Sequence, residues 1–346
     1  MEQQALAQRF GFDRASVDSY LRDNLPGLKG LMAVQPIAGG QSNPTFFLTF
    51  GSRRLVLRKQ PPGELLPSAH AVDREFRVMK ALAGTKVPVP EMLLLCDDLS
   101  VTGTLFYVME CLEGRVFHDN ALPGLSPQTR AGCFGAMADT LADLHEVDPA
   151  AVGLSDYGKP GSYFSRQIGR WSRQYQENRT RDLPDVELMI DWLPRHEPNE
   201  QHESAGLIHG DYRLGNLLFH PDRPEILGVL DWELSTLGHP LGDLGYNLMF
   251  WRMRPEDYGG LAGLDLEALG IPSEENYVAR YFARRGRPNS LTPFHLVFAL
   301  FRFAMILEGI AGRVEKGNAS AENAGQVGVL AGAFARQGAD MIRKLA

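Results

Sequence analysis

The chain has 346 residues, room for about two domains of roughly 150 residues each. Its hydrophobic fraction of 44% and charged fraction of 22% belong to a folded globular chain and exclude disordered, collagenous and disulfide-scaffold classes. Lys+Arg total 35 against Asp+Glu 42, and the resulting net charge of −7 gives no cationic field for a nucleic-acid backbone or an anionic membrane, so neither is expected as a partner.

An amphipathic stretch at 17–28, ending near Pro26 and Gly27, predicts an N-terminal helix. Apolar runs at 34–37, 46–50 and 55–58, separated by Gly39-Gly40-Gln41-Ser42-Asn43-Pro44 and Gly51-Ser52, predict three short strands joined by turns. Pro61-Pro62-Gly63 ends that unit. From Ser68, a possible cap, Ala71, Val72, Phe76, Val78, Met79 and Leu82 fall on helical spacing. Pro88-Val89-Pro90 breaks this helix, and 92–96 and 104–109 read as two further strands. After Gly114 the pattern turns helical, at 127–145, 162–178 and 185–193. A loop-rich stretch follows at 207–246, then helices at 274–284, 292–312 and 321–345. The plan is α+β, with a small β-β-β-α-β-β half over 1–113 and a larger, mainly helical half over 114–346, and a cleft is expected between them.

Cys96, Cys111 and Cys133 form no C-x-x-C pair, so free thiols in a reducing compartment are expected. Met1-Glu2-Gln3-Gln4 lacks the blocks of a signal peptide, and no eighteen consecutive apolar residues occur. The expected location is the cytoplasm.

The densest polar constellation is Ile208-His209-Gly210-Asp211-Tyr212-Arg213-Leu214-Gly215-Asn216. It is followed by the apolar run 226–230 and Asp231-Trp232-Glu233. A loop carboxylate can take a proton from an attacking hydroxyl, while an amide oxygen and a second carboxylate supply hard ligands to Mg²⁺. H-x-D-x-x-x-x-N, an apolar strand and then Asp is the spacing that phosphoryl transfer from a Mg-nucleotide requires. His196-Glu197 with His202 does not make a zinc site, because H-E-x-x-H needs helical i, i+4 spacing and Pro198 breaks the helix.

On these motifs the chain resembles the aminoglycoside phosphotransferase and choline kinase family of protein-kinase-like small-molecule kinases. The resemblance implies a bilobal kinase-like fold, with an antiparallel-sheet N-lobe and a helical C-lobe, and ATP and Mg²⁺ as cofactors. Asp211 stands as the catalytic base, Asn216 and Asp231 as metal ligands, and Glu233 in the segment where protein kinases have D-F-G. Gly39, Gly40, Ser42 and Asn43 stand where such kinases fold a turn over the nucleotide phosphates. Arg58 occupies the place of the usual phosphate-binding Lys, a departure from the pattern; period-2 alternation puts Lys59 on the opposite strand face. Glu75, favoured over Asp73, is the partner expected for Arg58 on the next helix. Glu110 to Leu112 would meet adenine through the backbone. Asp243 is read as a helix N-cap and brace of the catalytic loop, His209 as a buried hydrogen-bonding residue, and Arg213 as loop support.

Arg166, Arg170 and Arg173 stand at i, i+4 and i+7 on one helix face, with Trp171 beside them. They are candidates to grip an anionic acceptor. More closely, the chain is similar to the branch found fused to acyl-CoA dehydrogenases, on the runs 55–63, 68–75, 166–171 and 231–236. That similarity implies a hydroxyacyl-CoA or related hydroxy acid as phosphate acceptor and an acyl-CoA dehydrogenase acting as a separate protein. An aminoglycoside or choline-like kinase is the alternative within the class. An inactive nucleotide-binding module is the alternative outside it, suggested by Arg58 in place of Lys.

Overall fold

Asp13 opens the first helix by accepting the Ser16 N–H at 2.8 Å, four residues before the apolar periodicity begins. The helix closes at Asn24 because Pro26 pushes Leu25 into an extended conformation. The structure is a computed structural model and describes residues 11–37, 43–63, 70–159, 163–179, 181–199, 205–315 and 330–345.

The first elements are α1 (Arg14–Asn24), β1 (Met32–Pro36), β2 (Thr45–Phe50), β3 (Arg53–Lys59), α2 (Val72–Leu82), β4 (Met92–Cys96), a short α3 (Leu99–Thr102) and β5 (Phe106–Glu110). They continue with β6 (Arg115–Val116), α4 (Pro127–His145), α5 (Tyr163–Asn178), α6 (Pro184–Trp192), β7 (Gly206–Ile208), β8 (Leu217–Phe219), β9 (Ile226–Val229) and β10 (Thr236–Gly238). The last are α7 (Pro240–Arg252), α8 (Leu266–Leu269), α9 (Glu274–Arg285), α10 (Pro293–Glu315) and α11 (Ala331–Arg343). The Ser68 cap and the stretch 321–329 of the expected last helix lie outside the described residues.

Two compact units result: Met1–Gly114 with Leu227–Glu233, and Arg115–Ile226 with Leu234–Ala346. A single division at 113/114 leaves Leu227–Glu233 with the helices. The structure groups it with the sheet, where the Val229 N–H donates to Pro88 O at 2.8 Å.

In the first unit a five-stranded sheet runs β1-β2-β3-β5-β4, with every pair antiparallel. Strand β3 is central. Its Leu55 and Leu57 face α1 and join Val17, Leu21, Phe46, Leu48, Phe106 and Val108 in one apolar cluster. Lys59 shares that alternation, is fully buried, and donates to Thr102 O at 3.2 Å. Burial pushes its ammonium pKa down to about 8. Arg58 projects to the other face, and its register partner on β5 is Tyr107.

The second unit is built around α10, an apolar helix long enough to span a membrane but here mostly buried against its neighbours. Its core includes Phe298, Phe301, Phe303 and Leu307, with Phe164 of α5, Met189 of α6 and Phe334 of α11. The stretch expected to be loop-rich holds ordered pieces. Strands β7 and β10 pair through Ile208 and Thr236, and α7 starts at Pro240 within it. Short strands of three residues give too little alternation to be read from sequence.

Candidate active site

In the first unit Glu75 is fully buried beneath the sheet and collects three donors. Arg58 Nε lies 3.0 Å from Oε2, the Tyr107 hydroxyl donates to Oε2 at 3.1 Å, and Asn43 Nδ2 donates to Oε1 at 2.9 Å. Asn43 Oδ1 in turn meets His70 Nδ1 at 3.1 Å, so this expected phosphate-turn residue is engaged with the Glu75 carboxylate. Arg58 also reaches forward: its Nη2 is 2.7 Å from Asp231 Oδ1 and 3.9 Å from Glu233 Oε2. One planar guanidinium thus bridges a buried and a half-exposed carboxylate, a geometry a Lys ammonium reproduces poorly.

Burial pushes the Glu75 carboxyl up to about 7, against the pull of Arg58, and Asp231 and Glu233 add repulsion. Burial also works against the charge on Arg58, but the surrounding carboxylates outweigh it and raise its pKa. Both partners rise because Glu75 faces one cation and two further acids, whereas Arg58 faces three acids.

Asp231 has φ 63, in the left-handed region, at a cost of about 1–2 kcal/mol for a residue with a Cβ. Its Oδ2 takes no hydrogen bond or ion pair among the described residues.

In the second unit the loop after β7 is clamped from below. The buried Asp243 carboxylate accepts the His209 N–H at 2.6 Å and the Gly210 N–H at 2.8 Å, and lies 3.5 Å from His145 Nε2. Burial opposes ionisation of Asp243, but His145 and His209 outweigh it and hold the carboxyl below its ordinary range. Asp243 is therefore a brace and not the N-cap. The cap of α7 is His239, whose Nδ1 accepts the Leu241 N–H at 3.2 Å. Gly210 has φ 85, and a Cβ there would stand 2.6 Å from Leu234 O, so the loop needs glycine at this position. His209 is fully buried, and its Nδ1 accepts the Asp211 N–H at 3.2 Å.

The Asp211 carboxylate is fixed from three sides. Tyr246 OH donates to Oδ1, Asn216 Nδ2 donates to Oδ2 at 2.8 Å, and Arg213 Nε lies 3.3 Å from both oxygens. Burial works against the Arg213 charge, but Asp211 outweighs it and raises the guanidinium pKa. Tyr258, another non-glycine residue at positive φ (73), lies within electrostatic reach of Arg213 and Asp211. Asn216 spends its amide nitrogen on Asp211, and its Oδ1 takes no hydrogen bond among the described residues. Asn216 Oδ1 in the second unit and Asp231 Oδ2 in the first are each, taken singly, oxygens of the hard kind that a divalent cation such as Mg²⁺ takes.

The remaining expected residues are more dispersed. Gly39, Gly40 and Ser42 lie outside the described residues. Glu110 closes β5, and its side chain accepts the Glu91 N–H at 2.8 Å; Leu112 is half-buried. On α5, Arg166 donates to Lys159 O, Arg170 lies over the Trp171 ring at 5.3 Å, Trp171 donates to Gln167, and Arg173 is exposed. His196 stacks on Trp192 at 4.0 Å, and Glu197 accepts from Ser165 at the start of α5. Tyr246 and Tyr258 are the site residues that motif reading missed. No residue spacing signals them, because each reaches Asp211 only through the packing of the second unit.

The model of the phosphotransferase enzyme family (APH) matches residues 33–286. The chain is 43% identical over 333 residues to mouse acyl-CoA dehydrogenase family member 10, covering 94% of this chain and 31% of that protein. It spans less than half the length of the curated relatives it matches. A protein of Ralstonia eutropha JMP134 assigned as an aminoglycoside phosphotransferase superposes with TM-score 0.88 at 46% identity, covering 96% and 99% of the two chains. A thermostable mutant of the aminoglycoside phosphotransferase APH(4)-Ia, in a ternary complex with AMP-PNP and hygromycin B, shares the fold at TM-score 0.60 and 17% identity, covering 93% and 98%.

Proposed function

The chain belongs to the phosphotransferase enzyme family, and from that premise we propose that it transfers the terminal phosphoryl group of ATP to a hydroxyl of a hydroxyacyl-CoA or related hydroxy acid. The observation that carries this reading is the Asp211 carboxylate, held by Tyr246, Arg213 and Asn216 on a loop that Asp243 braces. Asp211 takes the proton of the acceptor hydroxyl as that oxygen forms its bond to phosphorus, and the bond to the bridging oxygen breaks to release ADP. Asn216 and Asp231 would hold Mg²⁺, and the ion would supply positive charge against the phosphate oxygens. Arg58, kept in place by Glu75, orients the phosphates in the role other family members give to Lys. Glu110 to Leu112 receive adenine along the backbone.

The acceptor is supported by the relative's name, which speaks of acyl-CoA chemistry for that longer protein. An acyl-CoA dehydrogenase sharing the substrate pool is the functional partner of this reading.

The test is ATP consumption screened against hydroxyacyl-CoAs, aminoglycosides and amino alcohols, with wild type and Asp211→Asn. Turnover is expected with the hydroxyacyl-CoA and should fall by about 10²- to 10⁴-fold in Asp211→Asn. Undiminished turnover in the variant sinks the role of Asp211, and turnover with amino alcohols or aminoglycosides alone sinks the acceptor. Binding of Mg-ATP with neither transfer nor hydrolysis sinks the enzyme.

A further inference from the structure

Helix α10 is apolar around most of its circumference, yet it carries Arg302 at 7% exposure. Among the described residues no carboxylate or carbonyl pairs with this guanidinium. Its recorded contact is with the Tyr246 ring, whose centroid lies 5.9 Å from Cζ. Glu308, the nearest acid along the same helix, is engaged by Arg181 at 3.2 Å. Arg302 keeps 7% of its surface open, and long cationic side chains of this kind bury the stem and turn the head to the opening.

A buried cation without an acid is costly, and five N–H donors remain to be filled. Tyr246 gives the position its meaning: its hydroxyl donates to Asp211, and its ring carries Arg302. Phe303, next to Arg302, packs on both Tyr246 at 5.8 Å and Tyr258 at 5.0 Å. One aromatic layer therefore joins Arg302 to the Asp211 cluster within a single unit.

We propose that Arg302 is an acceptor-binding residue that pairs with an oxyanion of the substrate whose hydroxyl Asp211 deprotonates. The planar fork suits bidentate contact with a carboxylate or a phosphate, and cation–π contact with Tyr246 holds it in place while the site is free. The proposal rests on the phosphotransferase reading and narrows its acceptor to an anion. It also places the selecting charge on α10 and not on the arginine row of α5. The oxyanion is either the carboxylate of a free hydroxy acid or a phosphate of a CoA carrier.

Calorimetric binding without nucleotide, and acceptor kinetics with ATP, are measured for hydroxybutyrate, hydroxybutyryl-CoA and the neutral hydroxybutyramide. Wild type should bind at least one anionic probe about 10- to 100-fold more tightly than the amide. Arg302→Gln should erase that preference and raise the acceptor KM by a similar factor while moving the KM of ATP less than twofold. Arg302→Lys should retain part of it. Loss confined to hydroxybutyrate identifies the carboxylate, and loss confined to the thioester identifies the carrier phosphate.

Equal affinity of wild type for anionic and neutral probes overturns the proposal whatever the stability of the variants, as does an unchanged preference in folded Arg302→Gln. If Asp211→Asn abolishes transfer while Arg302→Gln leaves the preference intact, the kinase reading stands and this one falls. If anion binding depends on Arg302 but no hydroxyl is phosphorylated, the reverse holds.

Discussion

Arg58→Met removes the cation from the Glu75 carboxylate and leaves it only the Tyr107 hydroxyl and Asn43 amide as donors. The carboxyl already stands at about 7 against an ordinary 4.5 with Arg58 in place. That difference of 7 − 4.5 = 2.5 units, at about 1.4 kcal/mol each, means that folding moves the balance toward the protonated form by about 3.5 kcal/mol relative to an ordinary carboxyl. A carboxyl raised by folding contributes stability that is complete below its unfolded value and is lost as pH rises through its folded value. At pH 5 the variant can keep Glu75 protonated, so the deficit should stay below about 1 kcal/mol, the scale of one neutral hydrogen bond. At pH 8 the buried charge is unpaired and the deficit should reach about 3–5 kcal/mol. The half-exposed Arg58–Asp231 contact adds under about 1 kcal/mol at either pH. Urea denaturation of wild type, Arg58→Met and Arg58→Met/Glu75→Gln at both pH values checks this. The double variant should recover most of the loss at pH 8. Equal deficits at pH 5 and pH 8, or no recovery, refute the account.

Two further outcomes follow from buried groups of the second unit. Asp243→Asn leaves one of the His209 and Gly210 N–H groups facing an amide nitrogen, and should cost about 2–4 kcal/mol with a fall in kcat; unchanged unfolding and turnover would contradict the brace. Burial and the neighbouring His239 push His295 down to about 3, so the folded state refuses a proton that the unfolded chain accepts below about 6.5. Its stabilising share is therefore present above 6.5 and is lost as pH falls, by up to about 1.4 kcal/mol per pH unit. Denaturation at pH 7, 6 and 5 should show a shallower slope in His295→Asn, and an identical slope would exclude His295 as the source.

The helices of the second unit were legible because an apolar face repeats at helical spacing, and α4 runs over the expected 127–145. The 208–216 loop was legible because its residues are close in sequence; the Arg58–Glu75 pairing was implied by the family resemblance, and strand parity separated Arg58 from Lys59. Elsewhere the information is tertiary. Asp243 looks like a cap because it precedes an apolar run, but its carboxylate turns back to backbone N–H groups more than thirty residues away. Asn43 sits beside a glycine turn in sequence and reaches a helix thirty-two residues on. Arg302 is hidden in an apolar run that reads as core, and the arginines of α5 show a conspicuous spacing, yet it is Arg302 that contacts Tyr246, which holds Asp211.

The two-residue turn Gly51-Ser52, between the register partners Phe50 and Arg53, acts as a ruler for the chemistry of the first unit. Deleting one residue there while keeping the sheet would exchange the faces of Arg58 and Lys59. An ammonium would then meet Glu75, and a guanidinium would be driven into the apolar side occupied by Leu55 and Leu57. Adding or removing two residues preserves parity. The length of this hairpin, modulo two, therefore decides which kind of cation faces the carboxylates, a constraint that acts on insertions and deletions and not on side-chain identity.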